Sequence, residues 1–302
     1  MTRFNALLDY LLWPALLAGP CLGMAYGMAH GHAVMGFMIS YFVLATTIAV
    51  LERIRPHERE WLKSDGQAMP DIAHTLLTKA SVQILILSLT NLGIVHQFGD
   101  RGSSGIWPGQ WPLFWQVVLS LIVAEFGLYW AHRLAHVWGP LWRFHAVHHS
   151  VKKLWFWNTG RFHFVDTLKS TAFSVPIFVL SGAPGEVILW GSAITAFIGI
   201  LTHCNIRMRF GWLNYVFNTP GLHRWHHSKD VREGNKNYGE NLVLWDLVFG
   251  TFFDDASRRP PADIGMKHAM PKTFFGQLFM PLFYWRRYQE SAMQKAAEEP
   301  HP

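Results

Sequence analysis

Long apolar runs, separated by short polar segments, dominate the hydrophobic pattern of this chain. A helix needs about 20 predominantly apolar residues to cross a bilayer. Four stretches come close to that length, at residues 5–28, 34–51, 72–95 and 112–131. We therefore expect four transmembrane helices. The first is expected to be a retained span rather than a cleaved signal peptide, because no small-residue cleavage site follows its apolar core.

A shorter apolar pair follows these four stretches, at residues 171–180 and 187–201. Pro184 and the glycines around it interrupt the pair, and both residue types end helices. The first arm is too short to span a bilayer. The pattern therefore predicts a re-entrant hairpin rather than two further crossings.

The distribution of basic residues orients these elements. Lys and Arg are concentrated after residue 51 and again after residue 131, and loops that stay in the cytoplasm accumulate them. This predicts that residues 52–71, 132–170 and 203–302 lie in the cytoplasm and residues 96–111 outside. The predicted fold class is an all-α integral membrane protein with about four transmembrane helices, a re-entrant helical hairpin and a cytoplasmic, histidine-rich helical cap.

Composition agrees with a membrane protein. Charged residues make up 15% of the chain, against about 25% in soluble domains, and the mean hydropathy is +0.12. The net charge of +6 raises the possibility of nucleic-acid binding. Because the basic residues lie in short clusters between apolar runs, anionic lipid headgroups explain the charge better, and we expect no nucleic-acid partner. Two cysteines are too few for a disulfide framework.

Histidines form the main chemical signal, since ten of the 17 fall between residues 132 and 227. Rings three or four residues apart share a helical face, and three such motifs occur here. They comprise His132 and His136; His145, His148 and His149; and His223, His226 and His227, with a lone His203 before the third motif. Neutral imidazole suits iron, zinc, copper and nickel. Nine rings are enough to surround more than one metal ion.

The remaining histidines are expected to be ordinary surface or core residues. His163, close to the second motif, can be an outer partner of a ligand, a ligand itself or a structural residue. A metal-free explanation of the three motifs requires many titratable rings to crowd together, and their mutual repulsion once protonated makes that costly.

The three motifs and their surroundings resemble those of the fatty acid hydroxylase and sterol desaturase superfamily of membrane-bound di-iron oxygenases. The order is His-x3-His, His-x2-His-His, His-x2-His-His, with YWAHR, LWRFHAVHHS and NYGENLVLWDLVFGTFF around it, and the similarity spans about residues 112–255. The resemblance implies two iron ions held by the eight motif histidines, with His203 as a further ligand. It also implies O2-dependent attack on an unactivated C–H bond of a lipid.

The resemblance also suggests a division of the chain. Residues 1–111 are the expected N-terminal transmembrane helices and residues 112–255 the hydroxylase-like catalytic domain. Residues 256–302 are the expected cytoplasmic tail, in which TFFGQLFMPLFYWRRY combines aromatic side chains with Arg286 and Arg287 as an interfacial helix does.

Several partners and neighbours of the site follow as expectations. Some superfamily members carry a fused haem-binding donor with a His-Pro-Gly-Gly motif, which this sequence lacks, so a separate electron donor is expected. No retrieval signal is present in QKAAEEPHP, which favours a bacterial inner membrane over the endoplasmic reticulum. Candidate partners for the outward nitrogens of the ligands are Glu125, Asp166, Glu240 and Asp246. The segment Asn237-Tyr238-Gly239 matches the family pattern, and it also reads as a simple turn.

The leading hypothesis is a monooxygenase that hydroxylates an acyl or alkyl chain of a membrane lipid with O2 and external electrons. Beyond the metal ligands the sequence does not identify catalytic residues, and no organic cofactor is predicted. Zinc can replace iron in purified protein, because imidazole-rich sites bind it at least as tightly. The alternatives are a desaturase of the same superfamily, a membrane metal transporter or sensor, and a structural zinc protein. A transporter places ionisable residues at mid-membrane depth, whereas these motifs lie at or beyond the ends of the predicted spans.

Overall fold

The computed structural model describes residues 3–79, 81–82, 85, 105–268 and 270–298. All regular elements in these ranges are helical, and the strand-like contacts are three isolated bridges. The helices are α1 (Arg3–Ala29), α2 (Ala33–Ile54), α3 (Ala68–Ala73), α4 (Leu113–Val137), α5 (Gly139–His149), α6 (Phe164–Ser181), α7 (Gly185–Thr202), α8 (Pro220–His226), α9 (Val231–Gly234), α10 (Leu244–Val248), α11 (Phe274–Phe279) and α12 (Trp285–Glu298). π-Helical segments at His74–Lys79 and Met280–Tyr284 continue α3 and α11, and short 3-10 turns lie at Glu60–Leu62, Phe156–Gly160 and Gly211–Tyr215.

Four of the described helices are long and apolar enough to cross a membrane, namely Leu7–Ala29, Ala33–Ile54, Leu113–Val137 and Gly185–Thr202. Three of them match predicted spans. The fourth is α7, which the sequence pattern assigned to the hairpin. The predicted span at residues 72–95 lies largely outside the described residues, and its described start is the end of α3 and the π-helical segment that follows.

The arms of the predicted hairpin are longer than expected. The break at residues 181–185 is confirmed, because Gly182 ends α6 with a φ of 74° and α7 begins at Gly185. However, α6 begins at Phe164 rather than near residue 171 and continues through Pro176, so each arm has 18 residues. The re-entrant path and the orientation of the cap stay predictions.

The apolar core is built around the first two helices and α7. Trp13 and Met24 of α1, Ile48 of α2 and Phe197 and Leu201 of α7 are almost fully buried in one cluster. The first two helices approach closely at Gly27 and Gly36, where a Cβ on Gly27 would lie 2.6 Å from the Cα of Gly36. Only glycine permits this contact, so the helix pair depends on both residues.

The remaining helices hold the histidine motifs against this core. Helix α4 packs along α6. Trp138 follows the last residue of α4, and α5 begins at the next residue with Pro140 in its first turn. After α10, the C-terminal segment exposes the aromatic side chains of Phe275, Phe279 and Phe283. That exposure is what an interfacial helix needs, and this role and the domain boundaries stay predictions.

Candidate metal centre

The structure brings together all nine histidines that the sequence singled out. They form two groups in which one nitrogen of each ring lies within 4.8 Å of the corresponding nitrogens of the others. The five-histidine group contains His132, His136, His145, His149 and His226; the four-histidine group contains His148, His203, His223 and His227. All of these rings are buried except His136, which is half-buried.

Helix periodicity explains how the motifs divide between the groups. In a His-x2-His-His motif on a helix, the first and last rings are four residues apart and point nearly the same way, while the middle ring points to one side. His145 and His149 accordingly join one group and His148 the other. His223 and His227 likewise join one group, and His226 the other. The two motifs therefore each contribute to both groups.

The ring nitrogens that face inward are Nε2 atoms. The His227 Nε2 lies 3.1 Å from the His148 Nε2 and 3.0 Å from the His223 Nε2, and the His223 Nε2 lies 2.9 Å from the His203 Nε2. In the other group the Nε2 atoms of His132, His136 and His226 are buried without a hydrogen-bond partner. Buried polar atoms are normally paired, so convergent, unpartnered nitrogens are what metal ligands require.

The outward Nδ1 atoms of five rings meet oxygen acceptors. They lie near the carbonyl of Tyr238 (2.8 Å, from His132), Asn235 Oδ1 (3.1 Å, from His136), Asp166 Oδ2 (2.8 Å, from His145), Asn158 Oδ1 (2.8 Å, from His203) and the carbonyl of Lys236 (2.7 Å, from His226). An oxygen acceptor fixes the proton on Nδ1 and leaves the Nε2 lone pair free for a metal. The hydrogen bonds thus set both the tautomer and the orientation of these rings.

Burial keeps the rings neutral. It lowers the pKa of His203 and His226 to about 3, and the pKa values of His148, His149 and His227 fall well below the usual range through burial and then repulsion by neighbouring rings. Neutral imidazole is the form that binds metals. The clusters therefore present free lone pairs at pH 7.

Of the four predicted outer carboxylates, Asp166 alone contacts a histidine of the two groups among the described hydrogen bonds. Its other oxygen accepts a hydrogen bond from Lys169 Nζ at 2.5 Å. Asp246 and Glu125 lie one step further from the histidines. Asp246 accepts hydrogen bonds from the backbone N–H groups of Tyr238 and Gly239. Glu125 accepts hydrogen bonds from the backbone N–H groups of Glu240 and Asn241. Both carboxylates therefore hold the segment whose Tyr238 carbonyl orients His132. The sequence analysis named Glu125 and Asp246 as candidates, but it missed the amides of Asn158 and Asn235, which carry no distinctive sequence signal.

His163 lies outside both groups. Its Nδ1 accepts a hydrogen bond from the Val165 N–H at the start of α6 (3.2 Å), and its Nε2 lies 3.1 Å from the Leu278 carbonyl. Of the three roles left open by the sequence, this geometry favours the structural one: the ring caps α6 and ties it to the C-terminal segment.

The two groups differ in their access to the surface. A cavity of about 260 Å³ reaches His136, His149 and His226 of the five-histidine group. In the four-histidine group, His148 stacks on Phe162 with ring centroids 4.3 Å apart and planes 10° apart. The five-histidine group is thus the more open of the two.

Comparison with known proteins gives a consistent result. Residues 117–251, which include all nine histidines, match the family model described as fatty acid hydroxylase. The chain is 49% identical to the ornithine lipid hydroxylase OlsE of Rhizobium tropici over 285 residues, which cover 93% of this chain and 86% of that protein. It is 30% identical to the alkylglycerol monooxygenase of Danio rerio over 148 residues, 49% of this chain and 33% of the relative. No solved structure matches the chain significantly.

Proposed function

Because this chain belongs to the fatty acid hydroxylase family, we propose that it is a membrane hydroxylase that inserts one oxygen atom of O2 into a C–H bond of a membrane lipid. The observation that carries the proposal is the meeting of two all-histidine groups at the ends of apolar helices, inside the region that matches the family. The nine histidines are the proposed metal ligands.

The residues present fit two transition-metal ions. Convergent, neutral Nε2 atoms suit iron or zinc and lack the oxygen ligands that calcium and magnesium prefer. We assign iron to both groups, since iron supplies one-electron and O2 chemistry that amino-acid side chains lack. Zinc has no redox chemistry, so zinc-loaded protein is expected to be inactive.

The protein's own contribution is orientation and exclusion of water. The Nδ1 hydrogen bonds orient five of the nine rings, those of His132, His136, His145, His203 and His226. Asp166 also adds a negative charge behind His145. Such outer partners typically change metal affinity or activity by about 10–100-fold. Burial of eight of the nine rings restricts the access of bulk water, most completely at the four-histidine group, and this limits side reactions.

The proposed substrate class is the acylated amino-acid lipids, of which ornithine lipid is the member named for the Rhizobium tropici relative. Identity of 49% over almost the whole chain supports this class. Attack on an acyl or alkyl carbon, as the sequence resemblance implies, stays a prediction, and a separate protein is the proposed source of electrons.

Lipid mass spectrometry tests the proposal. Extracts of a deletion strain are compared with those of the same strain carrying the wild-type gene or the His226→Ala variant. We expect a lipid that is 16 Da heavier only with the wild-type gene, and fragmentation shows which part of the molecule carries the oxygen. A loss of 2 Da instead indicates desaturation, and identical lipids in all three strains contradict the proposal.

We place the metal centre at the cytoplasmic face of a bacterial inner membrane. The support is the concentration of Lys and Arg after residues 51 and 131. In a variant that lacks Cys21 and Cys204, Ser257→Cys should be protected from a membrane-impermeant thiol reagent in intact cells and react after lysis. Labelling in intact cells would reverse the orientation.

A further inference from the structure

The buried face of α2 ends in an acidic side chain. Glu52 is 3% exposed and continues the face formed by Leu44 and Ile48, which lie in the apolar core. The next residue, Arg53, is exposed and donates a hydrogen bond back to its own helix. An ionisable group that turns inward at the end of a membrane helix needs partners, because burying it without them is costly. The partners of Glu52 therefore indicate its role.

The described hydrogen bonds of the Glu52 side chain come from main-chain N–H groups of two other segments. Its Oε1 atom accepts one from Phe156 at 2.9 Å and one from Asn205 at 2.9 Å. One oxygen atom thus joins two turns that lie far apart in the sequence and holds both against the end of α2.

Each of these turns carries one side of a contact to a proposed metal ligand. Asn158 lies in the 3-10 turn that begins with Phe156. His203 lies two residues before Asn205. The Asn158 Oδ1 atom is 2.8 Å from the His203 Nδ1 atom, and this contact orients the His203 ring. Glu52 therefore holds both halves of the contact that aims one ring of the four-histidine group.

The turn that carries His203 is also bonded to α8. Arg224 follows His223 in the third motif and is 1% exposed, and its Nη2 atom donates a hydrogen bond to the Cys204 carbonyl at 2.9 Å. The Nε2 atoms of His203 and His223 lie 2.9 Å apart. Because α8 and α2 both hold this turn, the position of α2 contributes to the spacing of the two rings.

A second contact ties the same segments together. The Thr159 hydroxyl group donates a hydrogen bond to the Gly199 carbonyl of α7 at 2.5 Å, and α7 ends directly before His203. Loss of the Glu52 contacts should therefore loosen the His203 turn without releasing it. The expected effect lies at the lower end of the usual range for outer partners of metal ligands, which is about 10–100-fold.

We propose that Glu52 is a positioning residue of the four-histidine group. It acts through the reach of one acceptor atom, since both donors are main-chain N–H groups that a neutral oxygen also satisfies. Glu52 lies outside residues 117–251, which match the family, so a helix of the N-terminal part contributes to the geometry of the metal centre. The inference rests on the proposed function only in taking the nine histidines as metal ligands.

Two variants separate the reach of the acceptor from its charge. Glu52→Gln keeps an oxygen at the same position along the side chain and removes the charge. Glu52→Asp keeps the charge and shortens the side chain by one CH2 group. The matched control is Leu44→Ala, which removes apolar packing from the same buried face of α2 and leaves the Glu52 carboxylate intact.

The assay titrates metal-free, full-length protein in lipid nanodiscs with Co²⁺, which imidazole-rich sites bind. The absorption of bound cobalt reports the geometry of its ligands. His223→Ala removes a ligand of the four-histidine group and so identifies the step that belongs to this group. The melting temperature is recorded for every variant.

We expect Glu52→Asp to weaken the four-histidine step about tenfold and to change its cobalt spectrum, while the five-histidine step stays unchanged. Glu52→Gln should resemble the wild type in both steps. Leu44→Ala should lower the melting temperature and move neither step. A merely structural role for Glu52 would change the melting temperature alone.

Two results would overturn the positioning role. One is equal weakening of both steps by Glu52→Asp, or the same shift in Leu44→Ala, which would indicate a general loosening of the fold. The other is weak binding by Glu52→Gln together with normal binding by Glu52→Asp, which would show that charge matters and reach does not.

Failure of the proposed function would look different. A wild-type titration without any step that His223→Ala removes would refute the proposed ligands, and the positioning role with them. Two normal wild-type steps that neither Glu52→Asp nor Glu52→Gln moves would refute the positioning role alone.

Discussion

Asp166 offers a sensitive test of how the histidine groups bind metal. Its carboxylate lies between the ring of His145, at 2.8 Å, and the ammonium group of Lys169, at 2.5 Å. Both Asp166 and Lys169 are buried, with 2% and 7% of their side chains exposed. The carboxylate therefore orients one ligand of the five-histidine group and adds negative charge behind it, which strengthens the ring as a donor.

Two substitutions separate these contributions. Asp166→Asn keeps an oxygen for His145 but removes the charge, and we expect metal affinity at that group to fall about tenfold. Asp166→Ala removes orientation as well, and we expect a loss of about 100-fold. These values span the usual range for outer partners of metal ligands and correspond to about 1.4 and 2.7 kcal/mol.

Loss of stability has to be separated from loss of metal binding. Either substitution leaves the Lys169 ammonium group buried without its partner, and breaking such a pair costs about 3–5 kcal/mol. The double variant Asp166→Asn/Lys169→Met removes the uncompensated charge. It should recover most of the thermal stability while its metal affinity stays low.

The assay is chelator competition with elemental analysis of the retained metal. Two histidine groups should give a binding isotherm with two steps, one for each group. Because His145 belongs to the five-histidine group, only the step of that group should shift. Asp254→Asn, an exposed carboxylate that accepts a hydrogen bond from Asn214, serves as the control and should bind as the wild type does. Wild-type affinity in both steps for Asp166→Ala would show that the outer hydrogen bonds do not support the metal centre.

Three further outcomes are expected. His226→Ala should lose metal and lipid product together, whereas the exposed His30→Ala should change neither, as elemental analysis and lipid mass spectrometry show. His163→Ala should keep its metal and lose about 1 kcal/mol of stability as a helix cap is removed, measured as a lower melting temperature; loss of metal would reassign His163 to the centre. Asp71→Ala should lower the melting temperature strongly, because it leaves the buried Arg161 guanidinium unpaired at a cost of about 3–5 kcal/mol; an unchanged melting temperature would contradict that assignment.

The sequence predicted which histidines come together, because three- and four-residue spacings are local properties of a helix. It did not predict that His148 leaves its neighbours for the four-histidine group. The spacing shows that the middle ring of each motif points to one side of the other two. Which rings of the other motifs it meets there depends on how α5 and α8 face each other across the centre, and local spacing does not encode that. Asn158 and Asn235 were missed for a similar reason: an amide becomes a ligand's partner only through the fold.

The predicted start of the first hairpin arm, near residue 171, was wrong for a different reason. Hydropathy marked the first arm from residue 171, because Asp166 and Lys169 made the preceding turn look polar. In the structure these two side chains pair with each other and with His145, so the helix continues through them from Phe164. The pairing of Asp166 with Lys169 and His145 therefore allows α6 to include residues that hydropathy alone excludes.

Isotope-labelled oxygen tests the central claim most directly. Metal-stripped protein is reconstituted with ferrous iron or with zinc and then supplied with an acylated ornithine lipid, a reductant and ¹⁸O2. We predict that the iron form yields a lipid carrying one ¹⁸O atom and that the zinc form yields none, because zinc cannot activate O2. Equal product from both forms, or a product whose new oxygen comes from water, would contradict the assignment of this protein as an iron-dependent lipid hydroxylase.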